Sequence, residues 1–193
     1  MARTQYIFID YENVCENDLS RVIGKPVRVL MMLGARHKKL PVSLFLFAQD
    51  HPDQIRIIQT PVIGPNALDF VLTCELGKLV ATDPEGYFHI ISKDNDFKAP
   101  VQHLKSQKVR IARHESLDLV PALRNEKERF DHLRAELKNP DKGRPKKRQA
   151  LHAKIQSVFD KTLSQENVEE YVRLLTRDEI LTISESDNVS YAA

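Results

Sequence analysis

Acidic side chains stand where two hydrophobic runs end and where one helical segment begins. Four aspartates share this placement: Asp10, Asp69, Asp94 and Asp96. The first follows the run at residues 6–9, the second opens the segment at residues 67–80, and the last two follow the run at residues 88–92. Carboxylates that meet at close range repel one another unless a cation lies between them. An all-oxygen set suits Mg²⁺ or Mn²⁺, so these residues predict a divalent metal site.

The reaction that such a site favours is phosphodiester hydrolysis. A divalent ion held by carboxylates can activate water and stabilise the oxygens of an in-line phosphoryl displacement. Structural roles would also explain three of the aspartates, since Asp69 suits the first turn of a helix and Asp94 and Asp96 suit a tight turn. Asp10 abruptly ends an apolar strand, and an acid in that position is more often functional. Other reaction classes lack their motifs, since the chain has no Gly-x-Gly-x-x-Gly after its first strand, no Walker loop and no Gly-x-Ser-x-Gly elbow.

The elements that must position these acids alternate between strands and helices. The pattern predicts strands at residues 6–9, 27–33, 55–60, 88–92 and 109–112, and helices at residues 42–49, 67–80, 99–107 and 117–137. This alternation predicts a three-layer α/β/α fold, in which a mainly parallel five-stranded sheet has helices on both faces. In open parallel sheets the functional site lies outside the carboxyl ends of the strands, near the point where the strand order reverses. The acids are therefore expected to meet at that edge.

Four further residues near the acids have weaker signals. Glu12, two residues after Asp10, stands where a phosphoaspartyl mechanism would need an aspartate. Asn66 is a predicted N-cap of the helix at residues 67–80. Cys15 and Cys74 have neither metal-site spacing nor a nearby partner histidine, so we interpret both as buried small hydrophobic residues.

Composition limits the class of protein. The net charge of +2 is too close to neutral to indicate a class of partner. The length of 193 residues is typical of one domain, with or without a small appendage. No apolar run approaches the roughly 18 residues needed to cross a bilayer, so no membrane partner is expected. The first residues lack the pattern of a secretory signal, and two cysteines cannot form a disulfide framework. The expected location is the cytoplasm.

The sequence changes character near residue 139. Five basic residues occupy seven positions: Lys142, Arg144, Lys146, Lys147 and Arg148. Such a run is either a solvated linker or a phosphate-binding segment. Helices predicted at residues 149–159 and 164–175, followed by two β-like pieces, resemble a small helix-turn-helix or winged-helix module. The predicted organisation is a domain at 1–138, a basic linker at 139–148 and a module at 149–193, which would bind nucleic acid or mediate dimerisation.

Three segments together carry a family resemblance. They are Tyr6-Ile-Phe-Ile-Asp10-Tyr-Glu-Asn13-Val, Asn66-Ala-Leu-Asp69-Phe and Ile91-Ser92-Lys93-Asp94-Asn-Asp96-Phe97. In this order, over about residues 5–113, they resemble the signature of the PIN-like nuclease superfamily, and most closely its bacterial NYN-type branch. The resemblance implies a metal-dependent ribonuclease fold with a parallel sheet and a Mg²⁺ or Mn²⁺ site.

The resemblance also implies roles for individual residues. The family's metal-binding and catalytic acids are matched by Asp10, Asp69, Asp94 and Asp96. Asn13 and Ser92 match positions that place ligands or the scissile phosphate, and Glu75 matches a further acidic position that many relatives fill with aspartate. Glu75 lies six residues beyond Asp69, about 240° further round the predicted helix. Lys93 stands where many relatives have glycine, and it is expected to pair with an acid or contact phosphate.

Three functions are consistent with these residues. The leading hypothesis is an endoribonuclease that hydrolyses RNA through a carboxylate-bound Mg²⁺ or Mn²⁺. The alternative is a nucleic-acid-binding regulator that keeps the fold, cleaves slowly or not at all, and uses the C-terminal module for recognition. A small-molecule phosphatase would use the same chemistry in a closed pocket. RNA is the expected partner, while DNA binding and a homodimer remain open at this stage.

Overall fold

The computed structural model describes residues 3–159, 161 and 163–192. The chain divides into two compact units, Met1–Leu123 and Arg124–Ala193. Each unit has its own hydrophobic core, and the predicted site residues of the acid cluster all belong to the first. No helix among the described residues is long and apolar enough to cross a membrane.

A five-stranded sheet forms the centre of the first unit. Its strands are β1 (Gln5–Asp10), β2 (Val27–Leu33), β3 (Ile55–Gln59), β4 (Tyr87–Ile91) and β5 (Arg110–His114). They lie in the order β3-β2-β1-β4-β5, and every neighbouring pair is parallel. The order therefore reverses between β1 and β4. This topology confirms the predicted α/β class and its parallel sheet.

Helices cover both faces of the sheet because its central strands are apolar on both sides. The helices of this unit are α1 (Val42–Asp50), α2 (Ala67–Thr82) and α3 (Lys98–Ser106). On β1, Ile7 packs in a core that contains Leu44 of α1, whereas its neighbour Phe8 packs in a core that contains Leu72 of α2. Successive residues of a strand point to opposite faces, so one strand supports both layers.

The predicted helix at residues 117–137 is wrong. The structure has two short 3₁₀ turns, Leu117–Leu119 and Pro121–Leu123, and then a separate helix, α4 (Glu126–Lys138). Pro121 cannot donate a helical hydrogen bond, and it disfavours helical backbone in the residue before it. Asn125 then starts a new helix with a capping box: its side chain accepts from the Glu128 amide, and the Glu128 carboxylate accepts from the Asn125 amide, each at 2.9 Å.

The second unit contains α4 as an integral part. It also contains α5 (Arg148–Val158), α6 (Gln165–Arg177) and an antiparallel pair, β6 (Leu181–Ile183) and β7 (Val189–Tyr191). Leu133 and Leu137 of α4 are at most 1% exposed and share a core with Leu151 of α5 and Leu175 of α6. The structure therefore divides the chain after residue 123, and not after residue 138 as the sequence predicts.

The predicted linker at residues 139–148 is an ordered part of this unit. The Val189 amide donates to the Lys146 carbonyl at 3.0 Å, and the Tyr191 hydroxyl donates to the Pro145 carbonyl at 2.9 Å. Lys147 forms an antiparallel bridge with Asn188. Residues 145–147 thus lie as a third extended piece against β7, which the composition of the basic run does not reveal.

We expect the fragment 124–193 to fold by itself and the fragment 139–193 to fail. The shorter fragment lacks Leu133 and Leu137, and deleting a buried leucine side chain costs about 2–5 kcal/mol, which is comparable with the whole stability of a small domain. Thermal unfolding followed by circular dichroism checks this, with Leu133→Ala in the longer fragment as an intermediate case. Equal, cooperative unfolding of both fragments would show that α4 is dispensable.

Candidate active site

An open cavity lies at the carboxyl edge of the sheet, where the strand order reverses. Asp10 ends β1, Asp94 follows β4, and Asp69 stands in the first turn of α2. All three side chains line one cavity of about 550 Å³, together with Glu12 and Asn13. We call this space the acid cavity. Three of the four predicted aspartates therefore meet where open parallel sheets bind ligands.

Ser92 joins two of these aspartates. Its hydroxyl donates to Asp10 Oδ2 at 2.8 Å and accepts from the Asp94 amide at 3.0 Å. Asp94 Oδ1 in turn accepts from the Asp96 amide at 2.9 Å, and Asp10 Oδ1 accepts from the Asn13 amide at 3.3 Å. Asp10 and Ser92 are at most 1% exposed. A buried hydroxyl thus holds the first aspartate and the turn after β4 in a fixed relation.

Asp96, Glu75 and Lys93 do not line the acid cavity. Asp96 is exposed and lines a smaller neighbouring cavity of about 220 Å³, which it shares with Asp69. Glu75 pairs with Lys78 at 2.6 Å and does not line the acid cavity. Lys93 is exposed and also absent from the lining. The structure therefore brings neither Glu75 nor Lys93 to the predicted cluster.

Glu12 is a lining residue that the predicted site omits. Its carboxylate lies against Gly34, where an added Cβ would come within 1.9 Å of Glu12 Oε1. The glycine at the end of β2 thus leaves room for this side chain beside Asp10. The available sequence signal was the position of Glu12 two residues after Asp10. Among the described residues that line the cavity, Arg36 is the single Lys or Arg, and it is exposed.

Charge repulsion is concentrated on Asp69. Its pKa is raised from the ordinary value of 3.8 to about 6, first because burial removes water from the carboxylate and then because Asp10, Asp94, Asp96 and Glu12 are nearby. The oxygen donors have the chemistry that Mg²⁺ and Mn²⁺ require. Within residues 3–159, 161 and 163–192, however, no three His, Cys, Asp or Glu side chains form a group that could hold one ion. The donor types fit a metal, whereas their spacing is not that of a completed site.

The five basic residues predicted to contact phosphates differ in whether their side chains already have partners within the protein. Arg148 begins α5 and pairs with Glu169 at 2.7 Å. Arg144 donates to the Lys138 carbonyl, and its guanidinium lies 5.0 Å from the centre of the Tyr191 ring. The remaining members of the run are exposed: Lys142, Lys146 and Lys147. Two of the five predicted contacts therefore have structural partners within their own unit.

The interpretation of both cysteines as buried is wrong. Cys15 is exposed after β1, and Cys74 is exposed on α2. The buried residues of α2 include Leu72 and Leu76, four positions apart, and Cys74 lies midway between them. A residue two positions along a helix points to the far side, so the helical spacing itself places Cys74 outward.

Asn66 precedes α2 as predicted but does not cap it with its side chain. Its backbone adopts a left-handed conformation with φ of 55°, which asparagine tolerates better than most residues. The turn thereby directs the first residues of α2, including Asp69, toward the acid cavity.

Comparison with known proteins agrees with this geometry. Residues 4–114, more than half of the chain, match the family described as the PIN domain. Searches of curated proteins and of solved structures returned no match. The matched residues contain the whole parallel sheet and every residue that lines the acid cavity. The chain therefore belongs to the PIN domain family, whose members are generally nucleases.

Proposed function

We propose that this PIN domain is a metal-dependent endoribonuclease. The observation that carries the proposal is the acid cavity, in which three aspartates and Glu12 line one open space at the reversal of strand order. The three sequence motifs support assignment to the NYN-type branch.

The carboxylates of the acid cavity would bind the cation, and neighbouring residues would orient these carboxylates. Asp10, Asp69, Asp94 and Glu12 would bind Mg²⁺ or Mn²⁺, with Asp96 supporting the turn that carries Asp94. Such an ion, when bound, lowers the pKa of water and offsets the charge that develops on phosphate. The ligands must draw closer for this, and a cation would supply the missing attraction.

Other residues of the cavity would orient the phosphodiester. The Ser92 hydroxyl keeps Asp10 directed toward the cavity because its hydrogen bond to Oδ2 is buried. Asn13 lines the same edge, and its side-chain amide can contact a substrate oxygen. Arg36 presents a planar guanidinium in a cavity of carboxylates, and guanidinium groups bind phosphate oxygens in pairs. The Arg36 guanidinium would thus bind an anionic substrate beside the metal ligands.

Nucleic-acid backbone contacts are proposed for the second unit. The exposed lysines Lys142, Lys146 and Lys147 are free to approach phosphates, and contacts of this type bind without sequence preference. RNA is the proposed substrate, DNA is a competing polymer, and a homodimer would bring two such surfaces together. Arg144 and Arg148 would contribute less because they are engaged by Tyr191 and Glu169.

The second candidate function is nucleic-acid binding without efficient cleavage. It is favoured by the spacing of the acids, since no three His, Cys, Asp or Glu side chains of the described residues form a group that could hold one ion. A phosphatase of small molecules fits less well. The acid cavity is bordered by the exposed residues Asn13, Arg36, Val62 and Ile63, and an open border suits a polymer.

Cleavage of labelled nucleic acids distinguishes these functions. Wild-type protein is incubated with single-stranded RNA, circular RNA, single-stranded DNA and duplex RNA, each with Mn²⁺, Mg²⁺ or EDTA. We expect RNA, including the circle, to be cut with Mn²⁺ or Mg²⁺ and to survive in EDTA. Opening of the circle identifies internal cleavage. Binding of RNA without cleavage in either metal would favour the regulator instead.

A further inference from the structure

Phe70 presents an aromatic ring to solvent next to the acid cavity. It follows Asp69 in the first turn of α2 and is 68% exposed. The neighbouring Leu68 and Leu72 are buried in the core of this unit, so Phe70 lies on the opposite side of the helix. The hydrophobic effect disfavours leaving a large ring in water, and the core does not require it at this position.

The ring forms one wall of the smaller cavity of about 220 Å³. We call this space the Phe70 cavity. Phe97 and Pro100 supply further apolar wall, and Phe97 is only 2% exposed, which makes that wall rigid. Asp69 and Asp96 supply a polar edge. Since Asp69 also lines the acid cavity, a group bound here lies beside the phosphate that would bind in the acid cavity.

We propose that the Phe70 cavity binds one unpaired nucleobase of the substrate, stacked on the Phe70 ring, next to the cleaved bond. This inference rests on the proposed function and adds a subsite for one base of a single-stranded RNA substrate. Every base has a face that stacks on an aromatic ring, so the contact tolerates many sequences. Bases inside a duplex stack on one another and cannot enter.

The polar edge of the cavity favours a base over other occupants. A carboxylate accepts a hydrogen bond from an exocyclic amino group, as acidic side chains do from cytosine. A phosphate group would be repelled by Asp69 and Asp96, and a wholly apolar ligand would leave both carboxylates without partners. The Asn66 side chain is not used as a helix cap and adds an amide at the same edge.

Binding of a fluorescent single-stranded RNA in EDTA tests the contact without cleavage. We compare wild type with Phe70→Ala and Phe70→Trp, and use Phe45→Ala as the matched control because Phe45 is an exposed aromatic residue of α1 outside both cavities. Phe70→Ala should weaken binding about tenfold, which corresponds to one lost stacking contact. Phe70→Trp and Phe45→Ala should bind as wild type does. Unchanged affinity of Phe70→Ala for RNA would overturn the proposal. The occupant of the cavity would then be a side chain of a protein partner.

A set of RNA strands that each lack one base locates the contact. Wild-type protein should bind one member of the set more weakly than the others, and Phe70→Ala should bind all members alike. An identical profile for both proteins, or equal Phe70-dependent binding of duplex RNA, would also overturn the proposal. Phe70-dependent RNA binding without cleavage would refute the proposed nuclease activity but support base binding in the Phe70 cavity. Normal cleavage by Phe70→Ala with unchanged affinity would support the nuclease activity and refute base binding in the cavity.

Discussion

Asp10→Asn is expected to reduce metal-dependent RNA cleavage by at least about 100-fold, the effect of removing one preorganised charged group from an active site. Asp10 is 1% exposed at the end of β1, and its Oδ2 accepts the Ser92 hydroxyl at 2.8 Å. Asparagine has the same shape and retains one oxygen that can accept this hydrogen bond. The substitution therefore removes charge with little change in packing, and the loss of activity should reflect the missing metal ligand.

Single-turnover cleavage in Mn²⁺ measures this effect. The matched control is Asp50→Asn, which removes an exposed carboxylate from the end of α1, outside the acid cavity. It should cleave as wild type does, and both variants should show the circular dichroism spectrum of the folded protein. Cleavage by Asp10→Asn at the wild-type rate would place the active centre elsewhere or reveal a contaminating nuclease.

Asp69→Asn is expected to stabilise the metal-free protein at pH 7.5 while it abolishes cleavage. The pKa of Asp69 is raised from 3.8 to about 6, mainly by burial and then by the surrounding carboxylates. The folded state therefore binds more protons than the unfolded state between these values, and stability falls as the pH rises through that window. Above pH 6 the charged side chain opposes folding, by about 1–2 kcal/mol after allowance for partial exposure to solvent.

Urea unfolding in EDTA at pH 7.5 and pH 3.5 checks the sign of this effect. Asp69→Asn should be more stable than wild type at the higher pH and nearly equal to it at the lower pH, where the aspartate is protonated in the folded state and mostly protonated in the unfolded state. Asp50→Asn should show little difference from wild type at either pH. Mg²⁺ or Mn²⁺ should stabilise wild type more than Asp69→Asn. A less stable Asp69→Asn at pH 7.5 would mean that another residue compensates the charge.

The local patterns that succeeded are those that a short stretch of chain decides by itself. The strand β2 was predicted with both of its ends correct because its apolar run is bounded on each side by residues that end it. Asp10 was placed at the sheet edge because the apolar run before it predicts where the strand ends. The capping box at Asn125, which the predicted helix at residues 117–137 overlooks, is equally local because it joins residues three positions apart.

The patterns that failed depend on what packs against a segment. The position of Glu75 on α2 does not show that it pairs with Lys78 rather than facing the acids. Glu12 contributes to the acid cavity because Gly34, which directly follows β2, leaves space for it. Helix α4 belongs to the second unit because Leu133 and Leu137 find their partners on later helices. The outcomes for Glu12 and α4 depend on residues distant in sequence, whereas the Glu75–Lys78 pair joins residues one helical turn apart.

Hydrophobic runs and their ends are local properties of the chain, so they predict the parallel α/β sheet and the edge at which its acids gather. The three-dimensional packing establishes which acids share the acid cavity, how Ser92 links Asp10 to Asp94, and that the ring of Phe70 lies exposed beside them. Side-chain direction and contact follow from the packing of elements against one another, and that packing is a property of the whole fold.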